Sequence, residues 1–339
     1  MKPTPSRRAT QREVARLANV SQTTVSLILG NSTTQSFPGE TLERVFRAAR
    51  ELGYMPNILA QALRTQRTMT LACVVPDIAN PFYPALVRGV QVAAEDAGYD
   101  VIALNTQSDA DRERRVLQWG MQGRVDGIIG VFFALRATEF EPLTRANVGV
   151  LRIETSAKKS GPLPIDNLFV DNVAAATAAT RYLLERGHRR ITMITGTGGP
   201  QDNRARGYRN TMLEAGLVPD IVVHGGFDEE AGGSAAREVL LRADRPSALF
   251  AANDLMAIGA MSVIREAGYR IPEDIAVMGF DDIFAARVLT PALSTVNQFQ
   301  NVLGQVAAHM MLQRLTELPE NTPGRHREMP FEVVPRQST

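Results

Sequence analysis

Between Thr70 and Phe280 short β-branched and apolar runs alternate with helix-length amphipathic stretches, and no other feature of the chain narrows its fold as far. The runs are TLACVV, DVIALNT, GIIGVFF, VGVLRIE, RITMITG, DIVVHG, SALFAA and DIAVMGF. Several of the stretches between them close on a glycine: EDAGYD at Gly98, EAGLVP at Gly216 and EAGYRI at Gly268. Glycine ends helices because it enters the left-handed conformation without a Cβ penalty. Strands that alternate with helices imply parallel sheets with helices on both faces. A chain of 339 residues has room for two such lobes, with a break expected near SGPLPIDN, residues 160–167. Open sheets of this kind bind ligands beyond the carboxyl ends of their strands, and two lobes can turn those ends toward one cleft.

Composition closes off several classes. With 44% hydrophobic and 22% charged residues the chain is an ordinary globular protein with ample core. No stretch approaches the roughly 18 unbroken apolar residues of a membrane span. The opening MKPTPSRRATQ carries basic residues with no apolar segment behind them, so no signal peptide is expected. Cys73 is the only cysteine; a disulfide framework is therefore out, and the cytoplasm is the expected location. Set in LACVVP, Cys73 reads as a buried inert thiol rather than a nucleophile.

The first 70 residues hold ten Lys and Arg against four Glu, although the whole chain is at +1. A small basic head on a mildly acidic body suits a polyanionic partner; a solvated basic tail is the plainer alternative. In ATQREVARLANVSQTTVSLILGN, Thr10 and Glu13 match a capping box that starts a helix. Val14, Ala15, Leu17 and Ala18 give that helix an apolar stripe. Asn19 falls at the turn, where it tolerates a left-handed backbone. Ser21 caps a second helix with Val25, Ile28 and Leu29 apolar and Gln22, Thr23 and Thr24 at its polar start. A third helix is expected from about Glu40 to Leu52, with Leu42, Val45, Phe46, Ala49 and Leu52 on one face, and Gly53 ends it. This is a helix-turn-helix pattern, in which the second helix offers its N-terminal side chains to base edges in the major groove. Gln22 can pair with adenine, and Thr23 and Ser26 can reach either base type. Arg7, Arg8 and Arg50 would hold phosphates. Beyond it, PNILAQALRT has a capping Asn57 and Ile58, Leu59 and Leu63 at helical spacing, a helix of under two turns that is too short to be stable alone.

ATQREVARLANVSQTTVSLIL, ELGYMPNILAQALRT and VVPDIANPFYPALVRGV, in that order, resemble the lactose-repressor/galactose-repressor (LacI/GalR) family of transcription regulators, and the resemblance runs on to the C-terminus. It implies a small all-α head and an α/β body of two periplasmic-binding-protein-like lobes. The expected domains are 1–55 for DNA binding, 56–68 for a hinge helix and linker, and 69–339 for effector binding and dimerisation. Within the body, lobe 1 is expected at 69–164 with 298–328 and lobe 2 at 165–297 with 329–339. The resemblance makes Thr10, Ser21, Gln22, Thr23, Thr24, Ser26, Leu27, Asn57, Ala60 and Leu63 the DNA-binding residues. In the family the segment matching PNILAQAL folds on operator, and two copies pack in the minor groove. The leucine matching Leu63 is wedged between base pairs, and Ala60 is small enough for close approach. That is physically coherent: a marginal helix folds when a partner gives it surface to bury, and an apolar wedge bends the duplex. Leu63 packed onto the body is the alternative. Leu27 stands where the family very often has an arginine that reads guanine, so the familiar family operator is not expected. The loop GNSTTQSFPGE is also longer than usual, with Phe37 and Pro38 in place of the common Val-Ser.

The same resemblance nominates effector-binding residues at strand ends. Asn253 comes from FAANDLMAIGAM, Asp281 from VMGFDD and Arg204 from NRARGYRNTM. Glu154 in VLRIE stands where relatives commonly have Asp, and Phe82 and Tyr83 in NPFYPAL lie at the cleft mouth. Carboxylates and Asn bind vicinal hydroxyls, an arginine forks onto two oxygens, and an aromatic face covers an apolar side, which suits a sugar or sugar acid. Asn253 could equally cap the helix after it, and Arg152 could face the cleft or away from it; facing it, it would hint at an acidic effector.

Enzyme patterns fail individually. GTGGPQ has Gln201 in the third-glycine position of a dinucleotide fingerprint, and no Lys-Ser/Thr follows; a loop lining the cleft is its expected role. Asp281 and Asp282 are adjacent and should point to opposite faces. His188, His224, His309 and His326 lack metal-ligand spacing, and GGSAA around Ser234 is no nucleophile elbow. No cofactor and no metal is expected. The expected function is a homodimeric repressor that binds palindromic double-stranded operator DNA under control of a small effector, in the cytoplasm at the nucleoid. A cytoplasmic sugar-binding protein or sugar-processing enzyme with a basic head is the alternative. The chain ends MPFEVVPRQST without an apolar heptad extension, so tetramers built that way are not expected.

Overall fold

The computed structural model of the chain describes residues 9–30, 37–55, 62, 65–157, 162–319 and 322–339. The chain divides into two compact units, residues 1–68 and 69–339. In the head, α1 (Gln11–Ala18) begins at a complete capping box: the Glu13 amide donates to Thr10 Oγ1, and the Thr10 amide donates to Glu13 Oε2 at 2.8 Å. Asn19 turns the chain at φ 52°. α2 (Gln22–Leu29) starts where the Thr24 amide donates to Ser21 Oγ at 3.0 Å. α3 runs Gly39–Glu51, and Gly53 follows at φ +60°. The three pack around Val14, Ala15, Ala18, Val25, Ile28, Val45, Ala48 and Ala49. Leu17, Phe46 and Leu52, placed on the apolar faces by periodicity, are instead exposed by 47%, 45% and 38%, because helices of eight to thirteen residues have two neighbours and bury a stripe narrower than their full apolar set. Asn57, Ala60 and Leu63, with Ile58 and Leu59, lie outside the described residues.

The body carries two parallel sheets and one small antiparallel pair. The first sets β1 (Thr70–Val75), β2 (Asp100–Asn105), β3 (Gly127–Gly130), β4 (Gly149–Glu154) and β5 (Ile165–Val170) in the order β5-β4-β3-β1-β2. The second sets β6 (Ile191–Thr195), β7 (Asp220–Val223), β8 (Ala248–Ala251) and β9 (Ala276–Met278) in the order β7-β6-β8-β9. All these pairs are parallel, as strands buried on both faces by crossover helices require. β10 (Thr295–Asn297) pairs antiparallel with β12 (Glu332–Val334) beside the second sheet, while β11 (His326–Met329) returns to the first sheet alongside β5. The chain therefore crosses between lobes after Val170, after Asn297 and after Met329.

This corrects the expected lobe boundary. Residues 165–170 belong to the first lobe, so the first crossing falls after the IDNLFV strand rather than before it. IDNLFV does not read as a strand because Asp166 and Asn167 interrupt its apolar run. Both are fully buried, and Asp166 is stabilised by bidentate pairing to Arg314 at 2.6 and 2.9 Å and by Arg325 at 2.7 Å. Those two guanidiniums pull its carboxyl below the ordinary carboxylate value although burial acts the other way. The cluster fastens the helix Gln300–Thr316 and the stretch before β11 to the base of the first sheet.

Candidate functional site

The carboxyl ends of both sheets face one narrow cleft, where ligands of open α/β sheets bind. Phe82, Tyr83, Glu154, Arg204, Asn253 and Asp281, nominated from sequence, all line it. The aromatic pair stands at the start of the helix Phe82–Glu95, edge to face at 5.1 Å. Arg204 is one turn into the helix Gln201–Glu214 and is 4% exposed. Its guanidinium is engaged on every side: Nε donates to Asn172 Oδ1 at 2.7 Å, Nη1 to the Ala252 carbonyl, and Nη2 to Asp281 Oδ1 at 3.3 Å. It also lies 3.7 Å from the centroid of the Phe280 ring, a cation–π stacking position.

Asp281 follows β9 at φ 124° and is 4% exposed. Gln298 Nε2 donates to its Oδ1 at 2.7 Å, and Gln300 Nε2 donates to its main-chain carbonyl. Burial pushes the Asp281 carboxyl up to about 6, with Arg204 opposing. Behind it Asp254, wholly buried, accepts from Thr295 Oγ1 at 2.6 Å and the Ile283 amide at 2.9 Å. Burial first, and the nearby Asp281 second, raise Asp254 to about 7. Tyr83 reaches into the same field from the first lobe: burial and then Asp281 push its phenol upward.

Asn253 caps the helix after it. Its Oδ1 accepts from the Met256 amide at 2.8 Å as a helix cap, and its Nδ2 donates to the Phe227 carbonyl at 2.7 Å, while the residue lines the cleft. Arg152 shares a face of β4 with Glu154 and pairs with its Oε1 at 2.7 Å, both buried; it lies behind the cleft wall. Asp282 is held by Arg336 at 2.5 Å and Arg287 at 3.0 Å, away from any shared proton with Asp281.

Sequence reasoning missed Asn80, Asn172 and Gln298, which also line the cleft. Asn172 and Gln298 follow β5 and β10, the strands that periodicity did not find, so the rule that sites sit past strand ends had no strand to act on. In the head, Gln22 and Thr23 are exposed, Ser26 and Leu27 half-buried. The Ser21 and Thr24 hydroxyls contact each other at 2.8 Å, and Thr10 is engaged in its capping box. Among the described residues no group of three metal-ligating side chains occurs, and no helix is long and apolar enough to cross a membrane.

Residues 10–57 match the model of bacterial regulatory proteins of the lacI family, and residues 180–339 match the periplasmic binding protein-like domain. The ribose operon repressor of Escherichia coli K12 is 37% identical over 317 residues, covering 91% of this chain and 94% of that protein. Among solved structures, the transcriptional regulator CelR in complex with cellobiose is 31% identical over 98% of this chain and 100% of that one, at a TM-score of 0.70. The lac repressor dimer bound to operator and the anti-inducer ONPF shares the fold at a TM-score of 0.83 and 24% identity, covering 98% of this chain and 99% of that one.

Proposed function

The chain belongs to the LacI family of bacterial regulatory proteins, and on that premise we propose that it is a cytoplasmic homodimeric repressor whose operator affinity is set by a neutral sugar in the cleft. The observation that carries the choice of effector is the state of the two buried arginines. Arg204 is matched by Asp281 and Arg152 by Glu154, at 3.3 and 2.7 Å. A carboxylate or phosphate would have to displace an internal partner to gain a charge, stranding a buried Asp or Glu; breaking such a pair costs about 3–5 kcal/mol. Sugar hydroxyls instead accept and donate around the amides and carboxylates already present, with Phe82 and Phe227 covering the apolar face of a ring. A ribose operon repressor and a cellobiose-bound regulator among the relatives support the same class.

The head reads DNA through α2, with Gln22, Thr23 and Ser26 toward base edges in the major groove. Leu63, with Asn57 and Ala60, is the proposed minor-groove wedge of the hinge segment. One head reads one half-site, so a palindromic operator requires the dimer. Effector binding shifts the angle between the lobes and with it the spacing of the two hinges, a linkage typically of ~1–3 kcal/mol. The chain has no enzymatic role in this account: Asp282 is engaged by Arg287 and Arg336, and Asp254 is wholly buried and held by Thr295 and the Ile283 amide. Calorimetric titration of the full-length protein with D-ribose, cellobiose, D-gluconate and ribose 5-phosphate tests the effector class. Binding of a neutral sugar with the two anions inert is expected; tighter binding of either anion would refute the neutral-sugar reading.

A further inference from the structure

We propose that the ring of Phe133, seated on Gly199, is a latch across the cleft, and that Glu113 and Arg152 position it. Phe133 leaves β3 in the first lobe, and Gly199 lies on the loop leaving β6 in the second. A Cβ built on Gly199 would stand 3.1, 3.3 and 3.4 Å from three carbons of the Phe133 ring. The ring thus rests against a bare α-carbon of the other lobe. Gly199 has φ +58° and Gly198 φ +77°, a region most side chains avoid, so a side chain at position 199 would be strained and would push the ring away. Phe133 and Pro200 both line the cleft.

Each jaw is fixed within its own lobe. The amides of Phe133, Ala134 and Leu135 donate to the wholly buried Glu113 carboxylate at 3.0, 3.1 and 3.1 Å. This is a charge-assisted clamp on three consecutive residues, stronger per bond than neutral pairing. Arg152 Nη2 donates to the Leu135 carbonyl at 3.3 Å while pairing with Glu154. On the opposite jaw, Gln201 Oε1 accepts from Thr195 Oγ1 at 2.5 Å and from the Gly196 amide. With both jaws pinned, the ring and the glycine separate when the lobes rotate. A second cross-lobe bond lies close by, Asn203 Nδ2 donating to Thr155 Oγ1 at 2.8 Å.

The arrangement ties the latch to the ligand. Glu154 lines the cleft, and any donor that hydrogen-bonds its carboxylate competes with the guanidinium that also holds the latch segment. Occupancy and closure therefore share Arg152, and the closed state gains differential stability through the contact of ring and glycine. This coupling rests on the cleft being the effector site, whereas the latch contact itself does not.

The test uses the full-length dimer. Hydrogen exchange is measured on the amides of residues 196–199 and 201–204 without ligand in wild type, Phe133→Ala and Phe133→Tyr. Loss of the ring should raise exchange there about tenfold, as for a segment released to local opening, and the tyrosine variant should match wild type. Unchanged exchange in Phe133→Ala overturns the latch whatever the effector. The ratio of operator affinities with and without D-ribose is then compared in wild type, Phe133→Ala and Glu113→Gln. A smaller ratio in both variants, with sugar still bound, supports the coupling; a wild-type ratio in both overturns it. A wild-type protein indifferent to D-ribose and to other neutral sugars sinks the effector reading, while the exchange result still judges the latch.

Discussion

Replacing Arg204 with Met removes one partner of a buried ion pair and keeps the volume of the side-chain stem. Asp281 is left 4% exposed, with Gln298 as its remaining side-chain donor, and the Ala252 carbonyl and Asn172 Oδ1 lose the donor Arg204 supplied. Removing one partner of a buried pair costs about 3–5 kcal/mol. The loss must depend on pH. The native Asp281 carboxyl already stands at about 6, above the ~3.9 of an unfolded Asp, so the native state binds more protons than the unfolded one between those values. Stability from this group is therefore highest below pH ~4 and declines as pH rises through about 6. Without Arg204 the native value moves higher and the decline continues toward pH 8, at ~1.4 kcal/mol per unit. Urea denaturation at one fixed protein concentration, at pH 5 and pH 8, should show a deficit relative to wild type that is larger at pH 8 by about 2–3 kcal/mol. Adding Asp281→Asn to the variant should recover most of the pH 8 deficit, since a neutral amide needs no counter-charge. Equal deficits at both pH values, or less than ~1 kcal/mol at pH 8, would refute the reasoning.

Other perturbations have equally definite outcomes. Asp166→Ala strands Arg314 and Arg325 around a fully buried position and should lower unfolding free energy by about 3–5 kcal/mol in chemical denaturation; a loss under ~1 kcal/mol would remove Asp166 from the account. Asp254→Asn should flatten the fall of stability between pH ~4 and about 7, because it deletes a group whose native value is raised by burial; an unchanged slope in pH-dependent melts would count against it. Leu63→Ala should weaken operator binding about tenfold or more by removing the wedge that offsets unstacking, with sugar affinity unchanged in calorimetry; equal operator affinity would place Leu63 outside the groove. Gln22→Ala should cost ~1–3 kcal/mol of discrimination at one base of each half-site, read as relaxed preference in binding to single-base operator variants.

The parts of the fold visible in the sequence were those governed by local chemistry. The side chains of Thr10 and Glu13 satisfy each other's backbone donors within one helical turn, so the box could be read directly. The runs at β1, β3, β6 and β8 are largely buried and are interrupted by nothing more polar than threonine. The strands left unread, β5, β10, β11 and β12, owe their place to tertiary partners: Asp166 is tolerated in β5 because Arg314 and Arg325 arrive from more than 140 positions away. Asn172 and Gln298 were missed with them. Periodicity also could not tell which part of an apolar stripe finds a neighbour, which is why Leu17, Phe46 and Leu52 came out exposed. The cleft was more legible: Arg204, Asp281, Glu154, Asn253, Phe82 and Tyr83 come from motifs at strand ends and helix starts that the topology brings together.

Two properties are proposed for this regulator: it reads a palindromic operator, and a neutral sugar makes it release or grip that operator. Selection of the full-length protein against random duplex DNA, run in parallel with and without D-ribose at one moderate salt concentration, tests both halves together. The account predicts one palindrome with a flexible central step, enriched in one of the two conditions and reduced about 5–150-fold in affinity in the other. Binding in both conditions that enriches no palindrome and only fades as salt rises would contradict it.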